Sequence, residues 1–147
     1  MRKVLANKLS GTFLPSPYAI DQSLYVLISE TDAVETLKTI LGILLSRVGA
    51  WYIRTKYSIY DVLYPWYTKK QLSEFPIPNS AVPIAKEIVI RVDAMMDLND
   101  RFAVVNSQEK KAVIQRQINA TDAEIDRLVY DLYGLTADEI ALVEGKV

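Results

Sequence analysis

The 147-residue chain contains no cysteine and no histidine. That excludes disulfides, thiol nucleophiles, imidazole acid–base catalysis and the usual transition-metal ligand sets. Long apolar runs are missing too: the longest, around Ile40 to Leu45, is far short of the roughly 20 residues a membrane span needs. No apolar core follows Arg2 and Lys3, so no signal peptide is expected and the chain reads as cytoplasmic. With 50% apolar and 24% charged residues it has the composition of a globular protein that can bury a sizeable core.

An excess of positive charge is also absent, the formal net charge being -1. Its distribution is uneven. Residues 1–72 hold nine Lys/Arg against five Asp/Glu, a net +4, whereas residues 73–147 hold eight against thirteen, a net -5. A basic half beside an acidic, helix-patterned half is consistent with one lobe facing nucleic acid and another acting as scaffold.

Residues 4–9, 12–14 and 24–28 read as strands separated by Gly11 and the Pro15/Pro17 pair. Asp32 can cap a helix in which Val34, Leu37, Ile40, Leu41, Leu44, Val48 and Trp51 follow helical spacing to about Arg54. Gly42 lies within it as a site of close packing. Periodicity then lapses from Tyr57 to Pro78, where Pro65, Pro76 and Pro78 exclude a continuous helix. Pro83 suits a first helical turn, and Ile84, Ile88, Val92, Met95, Leu98 and Phe102 mark the apolar face behind it. The Met95-Met96 pair is read as core.

The tail is the most legible part. Ile114, Ile118, Thr121, Ile125, Leu128 and Leu132 form one helical stripe, which pairs with the preceding helix as an antiparallel hairpin turning at residues 105–107. Thr121 and Glu124 have capping-box spacing, so a break or kink is expected near Asn119 to Thr121. Gly134 suits a left-handed helix end with Leu135 folding back, and Thr136 with Glu139 starts a last helix over residues 137–143.

Several blocks resemble the TaqI-like C-terminal specificity (target recognition) domain of type II restriction–modification adenine-specific DNA methyltransferases. They are Ile125-Asp126-Arg127-Leu128-Val129-Tyr130, Leu132-Tyr133-Gly134-Leu135-Thr136 and Glu139 with Val143-Glu144-Gly145. Upstream, Ile40-Leu41-Gly42-Ile43-Leu44-Leu45-Ser46 with Trp51-Tyr52, and Lys70-Gln71-Leu72 through Phe75-Pro76-Ile77-Pro78, agree in order. The resemblance covers roughly residues 36–145. It implies recognition of double-stranded DNA, with S-adenosylmethionine bound by an associated methyltransferase or restriction domain or subunit rather than by this chain.

Between Trp51 and Lys70 seven aromatics interleave with four cations. Such residues hold phosphates, meet base edges and stack on bases. Arg54, Lys56, Tyr57, Tyr60, Trp66, Tyr67, Lys69 and Lys70 are the candidate DNA contacts, and the resemblance implies recognition loops in this interval. The alternative is that the aromatics fill a seam and the cations are solvated.

Catalytic parts are missing: no Gly-rich cofactor loop and no Pro-Pro-aromatic motif occur, and Ser16-Pro17-Tyr18 reads as a turn. Asp93, Asp97 and Asp100 read as a solvated helix face rather than a metal site. Asp122, Glu124 and Asp126 read the same way, as solvated acids, negative charge near a helix start being favourable in itself. The expected fold is α+β: a small N-terminal β/helix lobe over residues 1–78, then a helical hairpin with a short C-terminal helix over residues 79–147. The expected function is non-catalytic DNA target recognition. A protein–protein interaction module without DNA binding is the alternative, and in either case the hairpin offers a surface for self-association.

Overall fold

Helix, rather than a mixture of helix and strand, organises the described part of this chain. The computed structural model describes residues 9–15, 25–29, 33–57, 68–78 and 82–146. Among these, 73% are helical and none is in a strand. The elements are α1 (Val34–Leu45), α2 (Arg47–Tyr57), α3 (Lys69–Ser73), α4 (Pro83–Val104), α5 (Gln108–Tyr133) and α6 (Ala137–Val143).

Among the described residues the expected β/helix lobe is thereby corrected to all-α. Of the proposed strands, residues 4–8 and 24 lie outside the described residues; Leu9, residues 12–14 and 25–28 carry no strand. Their apolar residues serve a helix instead of a ladder. Leu9 packs against the core, a Cβ on Gly11 would sit 3.1 Å from Leu41 Cδ1, and the Phe13 ring lies 5.2 Å from Lys38 Nζ. Residues 25–28 expose half or more of every side chain, so no buried face is available to set a strand register.

The long helix expected up to Arg54 is two helices meeting at a corner on Ser46. There the backbone turns extended (φ -71°, ψ 169°), and one hydroxyl closes both ends: Ser46 Oγ donates to Ile43 O at 2.7 Å and accepts from Gly49 N at 3.2 Å. A Cβ on Gly49 would lie 2.5 Å from Leu44 O and 2.7 Å from Ile43 O, both backbone atoms that cannot yield. The corner therefore needs a small hydrogen-bonding residue at 46 and no side chain at 49. Asp32, the expected cap of α1, lies outside the described residues.

Gly42 permits the close approach anticipated for it, since a Cβ there would fall 2.6 Å from Ile88 Cγ2 and 3.1 Å from Val92 Cγ2 on α4. Helices α4 and α5 form the antiparallel hairpin. Lys111 Nζ lies 5.6 Å from the Phe102 ring near the tip, and Arg91 Nε is 3.0 Å from Glu124 Oε2 further down. Pro83 occupies the first turn of α4, and Ser107 Oγ accepts from Lys110 N at 3.4 Å to start α5. The core joins Ile43, Leu44, Val48, Ile53, Phe75, Ile88, Val92, Ile125, Val129 and Tyr130, drawing on α1, α2, α4 and α5 together.

No break occurs near Asn119 to Thr121; α5 runs unbroken for 26 residues. The segment has neither Gly nor Pro, and the Ile114, Ile118, Ile125 stripe keeps its seat along α4, so the local capping signal at Thr121 is overridden. The end of α5 follows expectation. Gly134 is left-handed (φ 64°), and Leu135 N donates to Tyr130 O at 3.0 Å while Gly134 N donates to Asp131 O at 3.1 Å. The capping box of α6 is also formed, with Thr136 N donating to Glu139 Oε2 at 2.8 Å and Glu139 N to Thr136 Oγ1 at 3.4 Å.

Two readings of the α5 face are corrected. Leu128 and Leu132 are only half-buried, whereas Ile125, Val129 and Tyr130 are buried, because the α1–α2 corner packs on one flank of the expected stripe. Asp126, read as a solvated acid, is 4% exposed. Its Oδ1 accepts from Arg47 N at 2.7 Å and its Oδ2 from Arg47 Nε at 3.0 Å. The carboxylate thus satisfies a free amide at the start of α2, where the helix dipole favours negative charge. Burial, with Asp126 close by, pushes the Tyr130 phenol up to about 12.

Substitution should follow this burial. Ile125→Ala is expected to cost about 2–5 kcal/mol and Asp126→Ala about 1–3 kcal/mol, with Leu128→Ala and Asp122→Ala costing less than either. Chemical denaturation of the four variants checks the order, and a Leu128 loss larger than that at Ile125 would mean the buried face is wrongly assigned.

Candidate nucleic-acid interface

The corner at Ser46 fixes the direction of α2, and the last two turns of α2 meet the segment from α3 to Pro78. The joint is aromatic. The Tyr52 and Phe75 rings meet edge to face at 4.7 Å, Phe75 is buried, and Tyr133 on α5 donates its hydroxyl to Pro76 O at 2.7 Å. Burial raises the Tyr133 phenol well above its ordinary range. Prolines at 76 and 78 stop α3 from continuing, so the chain runs straight into this seam.

Helix α3 starts with a capping box: Thr68 N donates to Gln71 Oε1 at 2.8 Å and Gln71 N to Thr68 Oγ1 at 3.3 Å. Its first turn carries Lys69 and Lys70, both exposed. Glu74, at the end of α3, is the centre of a charged cluster. Tyr57 donates its hydroxyl to Glu74 Oε2 at 2.9 Å; Lys56 Nζ lies 3.6 Å from the same oxygen and Lys70 Nζ 3.9 Å from Oε1. Lys56 also donates to Tyr52 Oη at 2.8 Å and lies 5.2 Å and 5.3 Å from the centres of the Tyr52 and Tyr57 rings.

The electrostatics agree with that geometry. The hydrogen bond to the Tyr52 hydroxyl holds the Lys56 ammonium above the usual lysine range. Partial desolvation, then donation to Glu74, raises the Tyr57 phenol. The Tyr57 hydroxyl, followed by the charges of Lys56 and Lys70, holds the Glu74 carboxyl below the usual glutamate value.

Of the eight candidate contacts, Tyr60, Trp66 and Tyr67 lie outside the described residues. Lys56, Tyr57 and Lys70 converge on Glu74, Lys69 stands exposed beside them, and Arg54 is half-buried on α2. The seam alternative describes Tyr52 and Tyr57, which pack against the core while their hydroxyls reach the cluster. Glu74 and Tyr52 were not among the sequence candidates. The four-residue spacing of Lys70 and Glu74 was the available signal for the first, and the Lys56 to Tyr52 spacing for the second.

Two acids on α4 are paired. Asp93 pairs with Lys38 at 2.6 Å and Asp97 with Arg101 at 3.4 Å. Among the described residues no group of three or more Asp or Glu is placed to hold a metal, and no helix is long and apolar enough to cross a membrane.

The family model for the TaqI-like C-terminal specificity domain matches residues 3–77. The chain belongs to this family. No curated protein and no solved structure matches it. The matched stretch contains α1, α2, α3 and the Phe75-Pro76-Ile77 seam, together with residues 3–33. It stops before the hairpin, so the Leu132-Tyr133-Gly134-Leu135-Thr136 block lies outside the region that defines membership. The specificity domain is thus the part of the chain that holds the tyrosine–lysine–glutamate cluster.

Because the Glu74 carboxyl is lowered in the fold, its contacts contribute fully above the ordinary glutamate value of 4.5 and are lost as pH falls through the depressed one. Thermal melts should therefore decline on acidification below that value. Glu74→Gln, which keeps an acceptor for Tyr57 without a titrating charge, should blunt the decline; an unaltered acid limb would separate Glu74 from the acid sensitivity.

Proposed function

We propose that this chain is the DNA target-recognition part of a restriction–modification adenine-specific methyltransferase or restriction enzyme, binding double-stranded DNA and carrying no catalytic step itself. The observation that carries the reading is the family match over the segment that builds α2 and α3. In support, that segment sets cations and tyrosine hydroxyls around a short exposed helix although the chain as a whole is slightly acidic. Arg54, Lys56, Lys69 and Lys70 would hold phosphates, and Tyr57, Tyr60, Trp66 and Tyr67 would pack on sugars or bases. The enzyme works in the cytoplasm. Chemistry belongs to an associated catalytic domain or subunit, which would bind S-adenosylmethionine; the α4–α5 hairpin would orient the recognition part against it.

A second reading, an interaction module without DNA binding, draws on the tip of the hairpin. There Val104 is 77% and Val113 46% exposed, beside Val105 and Ile114 and rimmed by Arg101, Glu109 and Lys110. The same patch serves the first reading as a dock for the catalytic part or for a second copy.

Salt dependence of DNA binding separates the two. Replacing Arg54, Lys56, Lys69 and Lys70 together by Ala should weaken binding to all sequences and flatten the log–log salt slope by about 0.9 for each phosphate no longer neutralised. An unchanged slope removes these four from the interface, and no retention of the wild type on DNA at low salt favours the interaction module.

The purified chain supplied with S-adenosylmethionine or magnesium should neither methylate nor cut DNA. Transfer of methyl label by the chain alone, abolished by a point substitution, would overturn the recognition-only role.

A further inference from the structure

The Glu74 carboxylate receives what a nucleic-acid phosphate would receive: one phenolic hydroxyl and two ammonium groups arriving from different helices. Tyr57 and Lys56 come from the last turns of α2, Lys70 from α3. Three of the candidate DNA contacts are thus turned toward an anion that the protein itself provides. The contacts differ in grip. Tyr57 is held at 2.9 Å, whereas Lys56 and Lys70 stand at 3.6 Å and 3.9 Å, with side chains 40% and 84% exposed. Exposed pairs at such separations contribute little to stability, so either lysine can exchange its partner for a competing anion at small cost.

Resting on the DNA-recognition reading, we propose that Glu74 is a specificity-determining residue: an internal phosphate surrogate that engages Lys56 and Lys70 until a well-placed DNA backbone displaces it. Its carboxylate opposes indiscriminate binding in two ways. It offsets one of the two lysine charges in the free protein, and it repels any phosphate that approaches them without replacing its contacts. Discrimination is a difference of affinities, so lowering the sequence-independent part raises the ratio even when the specific contacts are unchanged. Tyr57 keeps the carboxylate aimed, and the Tyr52 hydroxyl, 2.8 Å from Lys56, keeps the lysine at the edge of the cluster rather than free in solution.

The test is binding of a mixed-sequence DNA duplex, followed by fluorescence anisotropy between about 50 and 200 mM salt, the range over which phosphate-driven affinity falls most. Wild type, Glu74→Gln, Glu87→Gln, and Glu74→Gln combined with Lys56→Ala and Lys70→Ala are compared, with melts run in parallel. Glu87, exposed on α4, controls for the loss of one negative charge. Glu74→Gln should bind several-fold tighter at low salt, with a slope steeper by about 0.9 for each lysine released. Glu87→Gln should match wild type, and the triple variant should lose the gain. Salt-dependent binding by the wild type with no gain in Glu74→Gln overturns the surrogate role while leaving DNA recognition standing, as does an equal gain in Glu87→Gln. Failure of both wild type and Glu74→Gln to bind at low salt overturns the role and the DNA reading together.

Discussion

The contact on which the arrangement depends is the one between Asp126 and Arg47. Two residues 79 apart in sequence share two hydrogen bonds, one to a backbone amide and one to a guanidinium nitrogen. A carboxylate 4% exposed is tolerable only with such donors, because an unpaired buried charge is strongly unfavourable. The backbone bond matters more than the side-chain one for geometry. It ties the first residue of α2 to α5, and with Ser46 and Gly49 it sets the angle at which α2 leaves the corner. The position of Tyr52, Lys56 and Tyr57 over α3 follows from that angle. The family match stops at residue 77, yet the residue that anchors α2 lies on α5, so the specificity domain leans on the hairpin for its shape.

Much of the C-terminal half was legible because its signals are local. Gly134, the Thr136–Glu139 box, Pro83 and the apolar stripe on α4 each act within a few residues, and nothing tertiary opposes them. The corner at Ser46 was not legible. Helical spacing of apolar residues runs straight through it, since α1 and α2 both bury their faces in one core. Only the pair Ser46 and Gly49, three apart, marks the break, and a glycine within an apolar run is easily read as a packing site. Where the expected strands fall on described residues, they fail for a related reason. Apolar residues at 9–14 look like a sheet edge, but their partners are Leu41 and Lys38 on a helix, and sequence alternation says nothing of what lies opposite. Asp126 and Thr121 show the converse. One looked like a solvated acid and is buried by a partner far away in sequence; the other looked like a cap and is carried inside α5 by the packing on either side of it.

In the candidate interface, residue type pointed to a stretch of which the fold brings part together, but not to its wiring. The interleaved aromatics and cations suggested side chains free to meet DNA. The fold divides them: Tyr52 and Tyr57 anchor rings in the seam and keep hydroxyls for the cluster, Lys69 remains exposed, and Lys56 and Lys70 share Glu74. A chain of net charge -1 can therefore present a basic strip without being basic overall, because 13 of its 18 acidic residues lie within residues 73–147. A strip of that kind favours encounter with a polyanion locally, while the acidic hairpin keeps the rest of the surface off it.

The central claim is that the α2–α3 strip, held in place by the hairpin, is the surface that meets DNA. Amide hydrogen exchange, measured on the chain alone and with a saturating DNA duplex, tests it most directly. Slower exchange with DNA is expected in α3 and the last turn of α2, with none at the hairpin tip around Val104 to Lys110. Protection at the tip with no change in α2 and α3 would contradict the account, since DNA would then meet the protein on the surface assigned to a protein partner.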